Sequence, residues 1–451
     1  MEAKFSSSAY REAVERLFLR FPSVQKSGFG DAYKPGLERM AAFDALLSYP
    51  SRAFRSIHVA GTNGKGSVAN LLASGLSAVG LKTGLYTSPH ILDFRERMRI
   101  RSGETLTLVP QEYVFSFLQT WEEYCIENSL SFFEITTALA FLWFAEQGVD
   151  VAVVETGLGG RLDATNILTP VLSVITTIGL DHCSLLGNSL AEIAAEKAGI
   201  IKQGVPVVVG VSQEETIPVF EEKTWMHAPL TWADRSRPSL WYRHKELLKE
   251  MDLKADIQKE NLRTMLTCTD LLKELPGFEA LSDNESLCQG LVHTAVRMGF
   301  HGRWERLSDN PYVLCDIGHN AQALAHNFAQ LRRYLDEGRF SSLIVVYGVM
   351  ADKDLNAILP LLPDDATYIF VAPDTPRALP AGEILRRSAK PRAFFGGSVR
   401  QGVQMAVSLA QNLSAQTSRS ASAQDVVPPL VFIGGSTFVV AEAVPLFHPN
   451  Y

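Results

Sequence analysis

The residues with the clearest chemical content are Gly61, Thr62, Asn63, Gly64, Lys65, Gly66 and Ser67, in the run RSIHVAGTNGKGSVAN. Ile57, Val59 and Ala60 form a short apolar run, as expected of a buried parallel strand, and Ser67 to Ala78 continue with helical spacing. Glycines between a strand and a helix let the backbone approach an anion, so that main-chain N–H groups and the positive end of the helix can cradle a polyphosphate; Lys65 adds a point charge. The strict pattern GxxxxGK[ST] would require glycine at position 59 and Ser or Thr at position 66, where this chain has Val59 and Gly66, with Ser67 one place late. An ordinary glycine-rich turn is the competing reading. The order of strand, glycines, lysine and hydroxyl favours a phosphate loop that binds ATP.

Further strand-like runs end on polar residues at what would be the same rim. The run DVAVVE (150–155) is apolar until Glu155, and a carboxylate there is expensive to bury without a cation. Magnesium, which takes oxygen ligands from carboxylates and substrate phosphates, would meet that need; so would a salt bridge to Arg161. Lys82–Tyr86 runs into Thr87, Ser88 and His90, either a capped turn or ligand-facing groups where open α/β sheets bind. Val171–Thr176 leads to Asp181 and His182; a lone histidine is more often structural, but this one follows a third strand aimed at the rim of Lys65 and Glu155. Lys197, in AAEKAGI, reads by default as a salt-bridged surface lysine. Farther on, Arg303 lies in HGRWERL, and Tyr312–Asp316 is a strand ending in Asp316, after which His319 and Asn320 open a helix.

HVAGTNGKGSVAN and the complete run ETGLGGRLDATN (155–166) closely resemble the folate ligases of the Mur-ligase superfamily, folylpolyglutamate synthase and dihydrofolate synthase, with similarity covering residues 20–445. The resemblance implies an ATP-dependent acid–amino-acid ligase that adds L-glutamate to dihydropteroate, or to the γ-carboxyl of (tetrahydro)folate polyglutamates, through an acyl phosphate, giving ADP and phosphate. It implies magnesium ligands at Ser88, Glu155 and His182, and a carbamylated Lys197 supporting a second magnesium ion. It makes Asn261, Arg303 and Asp316 nucleotide contacts beside the loop 61–67, and Lys65, Lys197 and His319 catalytic residues. Pro35, Gly36, Leu37, Phe132, Phe133, Leu162, Asp163 and Ala164 match substrate-contacting positions, although a surface connection at 35–37 and plain core at 132–133 are the bland alternatives. Two departures stand out: Ala255 replaces a glycine in the motif before Gln258 and Asn261, and Ala321 replaces the proline of D-x-x-H-N-P. That proline would mostly pre-set a helical turn, so its loss bears on rigidity more than on chemistry.

These groups need α/β elements to position them. Helical spacing is read over Tyr10–Phe21, Leu37–Leu47, Pro110–Glu127, Glu134–Gln147, Leu190–Ile200 and Ile257–Leu275, with SFFEITT read as a connection. Val205–Gly210 is read as the last strand of the first sheet; Ser342–Tyr347, Ala366–Val371 and Leu430–Gly434 belong to a second domain. The expected fold is α/β: an N-terminal P-loop ATPase domain (1–299) with a mostly parallel sheet flanked by helices, carrying the folate-binding loops, and a smaller C-terminal Rossmann-like glutamate-ligase domain (300–451). Gln411–Pro429, polar and serine-rich, reads as a flexible insertion. A length of 451 residues suits two or three domains.

A net charge of −7 supplies no basic field for nucleic acid or anionic membrane, and five cysteines without a CxxC pair argue against a disulfide framework or structural zinc. The N-terminus lacks the apolar core of a signal peptide. The expectation is a cytoplasmic monomer whose partners are ATP, L-glutamate and folate or dihydropteroate, with no nucleic acid and no membrane. A cell-wall ligase of the Mur type would usually carry an extra N-terminal domain, and about 50 residues before the loop are too few for one. A nucleotide-dependent switch or motor is the rival of a different class.

Overall fold

The structure, a computed structural model, describes residues 5–21, 35–420 and 427–448. They divide into two compact units, Met1–Asp252 with Gln258–Phe300, and Leu253–Ile257 with His301–Tyr451. Most of the glycine-rich stretch SVQKSGFGDAYKPG, up to residue 34, lies outside the described residues.

The first unit is built on strands β1 (Arg55–Ala60), β2 (Thr83–Tyr86), β3 (Met98–Ser102), β4 (Thr105–Leu108), β5 (Val151–Glu155), β6 (Leu172–Ile175), β7 (Val207–Val209) and β8 (Leu230–Trp232). They form one sheet in the order β4-β3-β2-β5-β1-β6-β7-β8. Pairing is parallel except at β2/β3 and β3/β4. Every residue of β5 and β6 is buried, as continuous apolar runs require when helices cover both faces. Register then fixes the rim: Val59 pairs with Glu155, Ala60 with Ile175, and Tyr86 with Val154, so β1, β2, β5 and β6 end together. The helix Lys65–Ala78 connects β1 to β2 and is rich in Gly, Ala and Ser because its neighbours come close. A Cβ at Gly75 would stand 2.7 Å from Leu287 Cδ1.

The second unit has β9 (Glu305–Asp309), β10 (Tyr312–Asp316), β11 (Leu343–Tyr347), β12 (Thr367–Ala372), β13 (Ala393–Ser398) and β14 (Leu430–Gly434), ordered β13-β12-β11-β14-β10-β9. Only β9 is antiparallel to its neighbour. The chain is thus α/β throughout, with two mostly parallel sheets. All five cysteines are free, and among the described residues no helix is long and apolar enough to cross a membrane.

Several expectations are corrected. SFFEITT is no connection: Ser131 and Glu134 form a capping box, so Phe132 and Phe133 begin the helix Phe132–Glu146. β7 is not the last strand, since β8 pairs beyond it. Gln411–Ser420 is no loop but the end of the helix Val399–Ser420, whose buried Val399, Val403, Ala406 and Ala410 carry the helical period up to the serine-rich tail; residues 421–426 lie outside the described residues. Finally, residues 253–257 belong to the second unit rather than the first. Ala255 is buried in its core with Trp304 and Leu314, the Asp256 N–H donates to Gln330 Oε1 at 2.7 Å, and the Asp256 carboxylate pairs with Arg333 at 2.5 Å.

Candidate functional site

Gly61 to Ser67 connect β1 to the helix Lys65–Ala78 with little room for side chains. Gly61 and Gly64 have φ of +149° and +85°, and a Cβ would lie 1.9 Å from Thr176 Oγ1 or 2.5 Å from Asn261 Oδ1, respectively. Thr176 and Thr177 hydroxyls donate to the Asn63 carbonyl at 2.6 and 3.1 Å, and the Thr62 hydroxyl donates to Gly179 O at 3.1 Å. These bonds turn the Asn63 carbonyl toward β6 and, with the Thr62 N–H donating to Thr177 O at 2.7 Å, fix the first half of the loop. The helix starts at Gly64 with no side-chain cap, so its first N–H groups keep their hydrogen-bonding capacity. Asn261, opening the helix Gln258–Leu272, lies against Gly64 and donates to Gln258 Oε1 at 3.0 Å; Gln258 in turn reaches Ser67 Oγ at 3.4 Å.

Two lysines meet on one carbonyl. Lys65 Nζ donates to Gly61 O at 3.1 Å and Thr62 O at 3.3 Å, and Lys197 Nζ donates to the same Gly61 O at 2.8 Å. Lys197 is therefore no surface lysine: it is 4% exposed. The adjacent carboxylate, Glu196, pairs instead with Arg161 at 2.8 Å. Burial first, and then the neighbouring Lys65 charge, push the Lys197 ammonium down to about 7, against the pull of Asp181 and Asp163. Such an amine is substantially neutral, and hence nucleophilic, near neutrality.

At the rim beside them, Glu155 is 4% exposed and accepts from the Ser88 N–H at 3.3 Å, so two of the three expected metal residues are brought together. The third, His182, takes a left-handed conformation (φ +54°) as the first residue of the turn before Cys183–Leu186, with Nδ1 3.8 Å from Asp181 Oδ1. Among the described residues no three His, Cys, Asp or Glu side chains converge in a ready cage. The groups placed at this strand end carry oxygen: the Glu155 carboxylate on the Ser88 N–H and, next in sequence, the buried Thr156 hydroxyl, which has no hydrogen-bond partner among the described residues. That set suits a hard cation such as magnesium or manganese, which typically completes its shell with phosphates and water.

The segments expected to touch the acceptor come together as well. Arg39, one turn after Pro35, Gly36 and Leu37, pairs with Glu134 at 3.1 Å and so fastens the 35–37 segment to the helix start at Phe132 and Phe133. Phe133 lies over Gly157, where a Cβ would be 2.6 Å from the ring. Phe132 behaves differently, 3% exposed and stacked on Phe18 at 4.6 Å as part of the core. In the 157–166 loop, Leu162 is half-buried whereas Asp163 and Ala164 are buried. The Asp163 carboxylate accepts from the N–H groups of Leu158 and Thr165 and from the Thr165 hydroxyl.

In the second unit, Asp316 spends its carboxylate on the scaffold. It accepts from Trp304 N at 3.0 Å, Gly318 N at 2.8 Å and Asn327 Nδ2 at 2.8 Å, so it frames Arg303 and the loop of His319. His319 Nδ1 lies 3.0 Å from Ile317 O, and Asn320 caps the helix Ala321–Asp336 through Ala323 N at 2.9 Å. That cap starts the helix without the proline that Ala321 replaces.

Sequence reasoning missed the tethers: Thr176, Thr177, Arg39 and Glu134. A pair of threonines directly after a buried strand was a usable signal for the first two; the Arg39–Glu134 pair, far apart in sequence, left none.

Residues 59–224 match the Mur ligase middle domain and residues 302–427 the Mur ligase glutamate ligase domain. Over 370 residues the chain is 35% identical to a dihydrofolate synthase/folylpolyglutamate synthase of Bacillus subtilis, spanning 76% of this chain and 83% of that protein. Among solved structures it is similar to FolC of E. coli in complex with DHPP and ADP, at 25% identity and a TM-score of 0.77, covering 99% of this chain and 100% of that one. It is also similar to the bifunctional folylpolyglutamate synthase/dihydrofolate synthase of Yersinia pestis complexed with AMPPNP and Mn ion, at 26% identity and a TM-score of 0.76, with coverage of 99% and 100%.

Proposed function

Because the chain belongs to the dihydrofolate synthase/folylpolyglutamate synthase family of Mur ligases, we propose that it joins L-glutamate to dihydropteroate and/or to the γ-carboxyl of (tetrahydro)folate polyglutamates. The observation that carries this reading is the meeting of Lys65 and Lys197 on the Gly61 carbonyl, beside the oxygen-lined rim of Glu155.

A carboxylate is a poor acyl donor because oxide is a poor leaving group. Transfer of the γ-phosphoryl of ATP to a carboxylate oxygen of the acceptor gives an acyl phosphate and ADP. The neutral amine of glutamate then attacks the acyl carbon, phosphate leaves with that oxygen, and the amine loses a proton. Lys65 and the loop N–H groups bind the phosphates and offset charge on the group in transfer. Asn261 fixes the nucleotide side of the loop. Leu37, Phe133 and the 162–164 segment hold the acceptor rings and keep water from the acyl phosphate; Pro35 and Gly36 shape the entrance and Phe132 backs them from the core. Arg303 is a phosphate ligand and His319 a catalytic group, both kept in place by Asp316.

Ser88, Glu155 and His182 would hold a divalent ion, which when bound neutralises phosphate oxygens. Lys197, as its neutral amine, would add to carbon dioxide with loss of a proton, giving a carbamate. That change replaces repulsion from Lys65 with attraction and supplies the anion a second ion needs. We place the enzyme in the cytoplasm as a monomer.

The test is phosphate release from ATP with dihydropteroate and tetrahydrofolate as parallel acceptors, with and without glutamate. Release that depends on both acceptor and glutamate is expected; release that needs neither would make the chain a nucleotide-driven switch instead.

A further inference from the structure

β1 carries a histidine that the reaction does not use. His58 is fully buried in the middle of the sheet, paired in register with Val154 of β5 and Ser173 of β6, just before the phosphate loop. A polar ring there carries a desolvation cost unless it is hydrogen-bonded.

The bonding of His58 can be followed proton by proton. Its Nε2 lies 2.8 Å from Thr165 Oγ1, and Thr165 Oγ1 lies 2.5 Å from Asp163 Oδ1. Burial pushes the Asp163 carboxyl up, opposed by the hydrogen bonds it receives: it accepts from the Leu158 N–H at 2.9 Å on one oxygen and from the Thr165 N–H at 3.1 Å on the other, so both oxygens act as acceptors, the pattern of an ionised carboxylate. The single hydroxyl proton of Thr165 therefore goes to Asp163, and Thr165 Oγ1 accepts from His58. The proton of His58 sits on Nε2. Nδ1 is bare, and it meets no partner among the described residues. Burial, with Lys202 adding, drives the imidazolium down to about 3, so the ring stays neutral.

We propose that His58 is a positioning residue for the acceptor: held as the Nε2–H tautomer, it seats the Thr165 hydroxyl on Asp163 and so sets the 157–166 loop against the strand that ends in the phosphate loop. The inference rests on the reading that Leu162, Asp163 and Ala164 touch the acceptor. The strand that delivers the phosphate loop and the loop that delivers the acceptor are then one framework, and phosphoryl group and carboxylate meet at a fixed separation.

The full chain is assayed as His58→Gln, His58→Asn and His58→Leu. Glutamine places an amide N–H where Nε2–H stands, and asparagine places one nearer Nδ1. The expectation is that His58→Gln stays near the parent, while the asparagine and leucine variants raise the acceptor KM roughly tenfold to a hundredfold with little change in the ATP KM. An unchanged acceptor KM in His58→Leu, or equal effects of glutamine and asparagine, overturns the inference. Asp163→Asn separates the two levels: if it raises the acceptor KM while His58→Leu does not, His58 alone is wrongly read, and if neither does, the loop's role falls with it. Should the variants fail to fold, 15N-histidine NMR of the unaltered protein decides, because a proton on Nε2 of His58 is required and a proton on Nδ1 contradicts it.

Discussion

β1 and β10 each run through a buried parallel strand into a helix, and the two turns are built for opposite ends. After β1 the helix begins at Gly64 with no side-chain cap, and two lysines crowd the Gly61 carbonyl. After β10 the helix is capped by Asn320 on Ala323 N, and the nearby carboxylate of Asp316 holds backbone N–H groups of its own scaffold. A capping oxygen satisfies the N–H groups that an anion would otherwise reach; glycine leaves them available. Whether a strand–turn–helix unit binds phosphate thus turns on what occupies the cap and on the charge around it, more than on the fold.

The sharpest way to break this contrast is Lys65→Ala. It removes the cation the loop itself supplies, and turnover should fall by about a thousandfold or more, measured as acceptor-dependent ADP formation; near-normal turnover would mean that the β1 turn is not a phosphate site.

A smaller effect separates the two lysines. Lys197 has its folded value lowered from 10.5 to about 7, so between those limits the unfolded chain binds the proton that the folded chain lacks, and stability rises with pH across that window. In buffer free of carbon dioxide, urea unfolding should show this rise, on the order of a few kcal/mol, in the parent and not in Lys197→Met. A parallel rise in both proteins would place the proton elsewhere.

The mildest change is at the other turn. Asn320→Ala uncaps the second helix and should lower stability by about 1 kcal/mol. Parent and variant are compared by the urea midpoint at constant slope, and an unchanged midpoint would remove the cap from the account.

What was legible in the sequence was local. The β1 turn, the strand ending in Glu155 and the strand ending in Asp316 each declare themselves within about ten residues, through glycines, apolar runs and a charge at the end. The rim could be anticipated because parallel strands put their C-terminal ends together. What stayed hidden depends on distant partners. Lys197 looks like a surface lysine until Gly61 is placed beside it. Residues 253–257 belong with the second unit because of Gln330 and Arg333, which no window around Ala255 contains. Asp316, a nucleotide contact by resemblance, also accepts from Trp304, Gly318 and Asn327, a set of partners spread over residues 304–327 that its strand alone does not announce. The hairpin β3–β4 was missed because its strand alternates with buried arginines: Arg99 and Arg101 donate to the carbonyls of Met298 and Arg297, which makes a buried face read as polar.

The central claim is that phosphate leaves carrying an oxygen of the acceptor. It is tested most directly by running one turnover with dihydropteroate labelled with 18O in its carboxylate, in the presence of ATP and glutamate, and weighing the phosphate by mass spectrometry. The account predicts one labelled oxygen in each phosphate released. Phosphate without label, formed at the same rate, would contradict it.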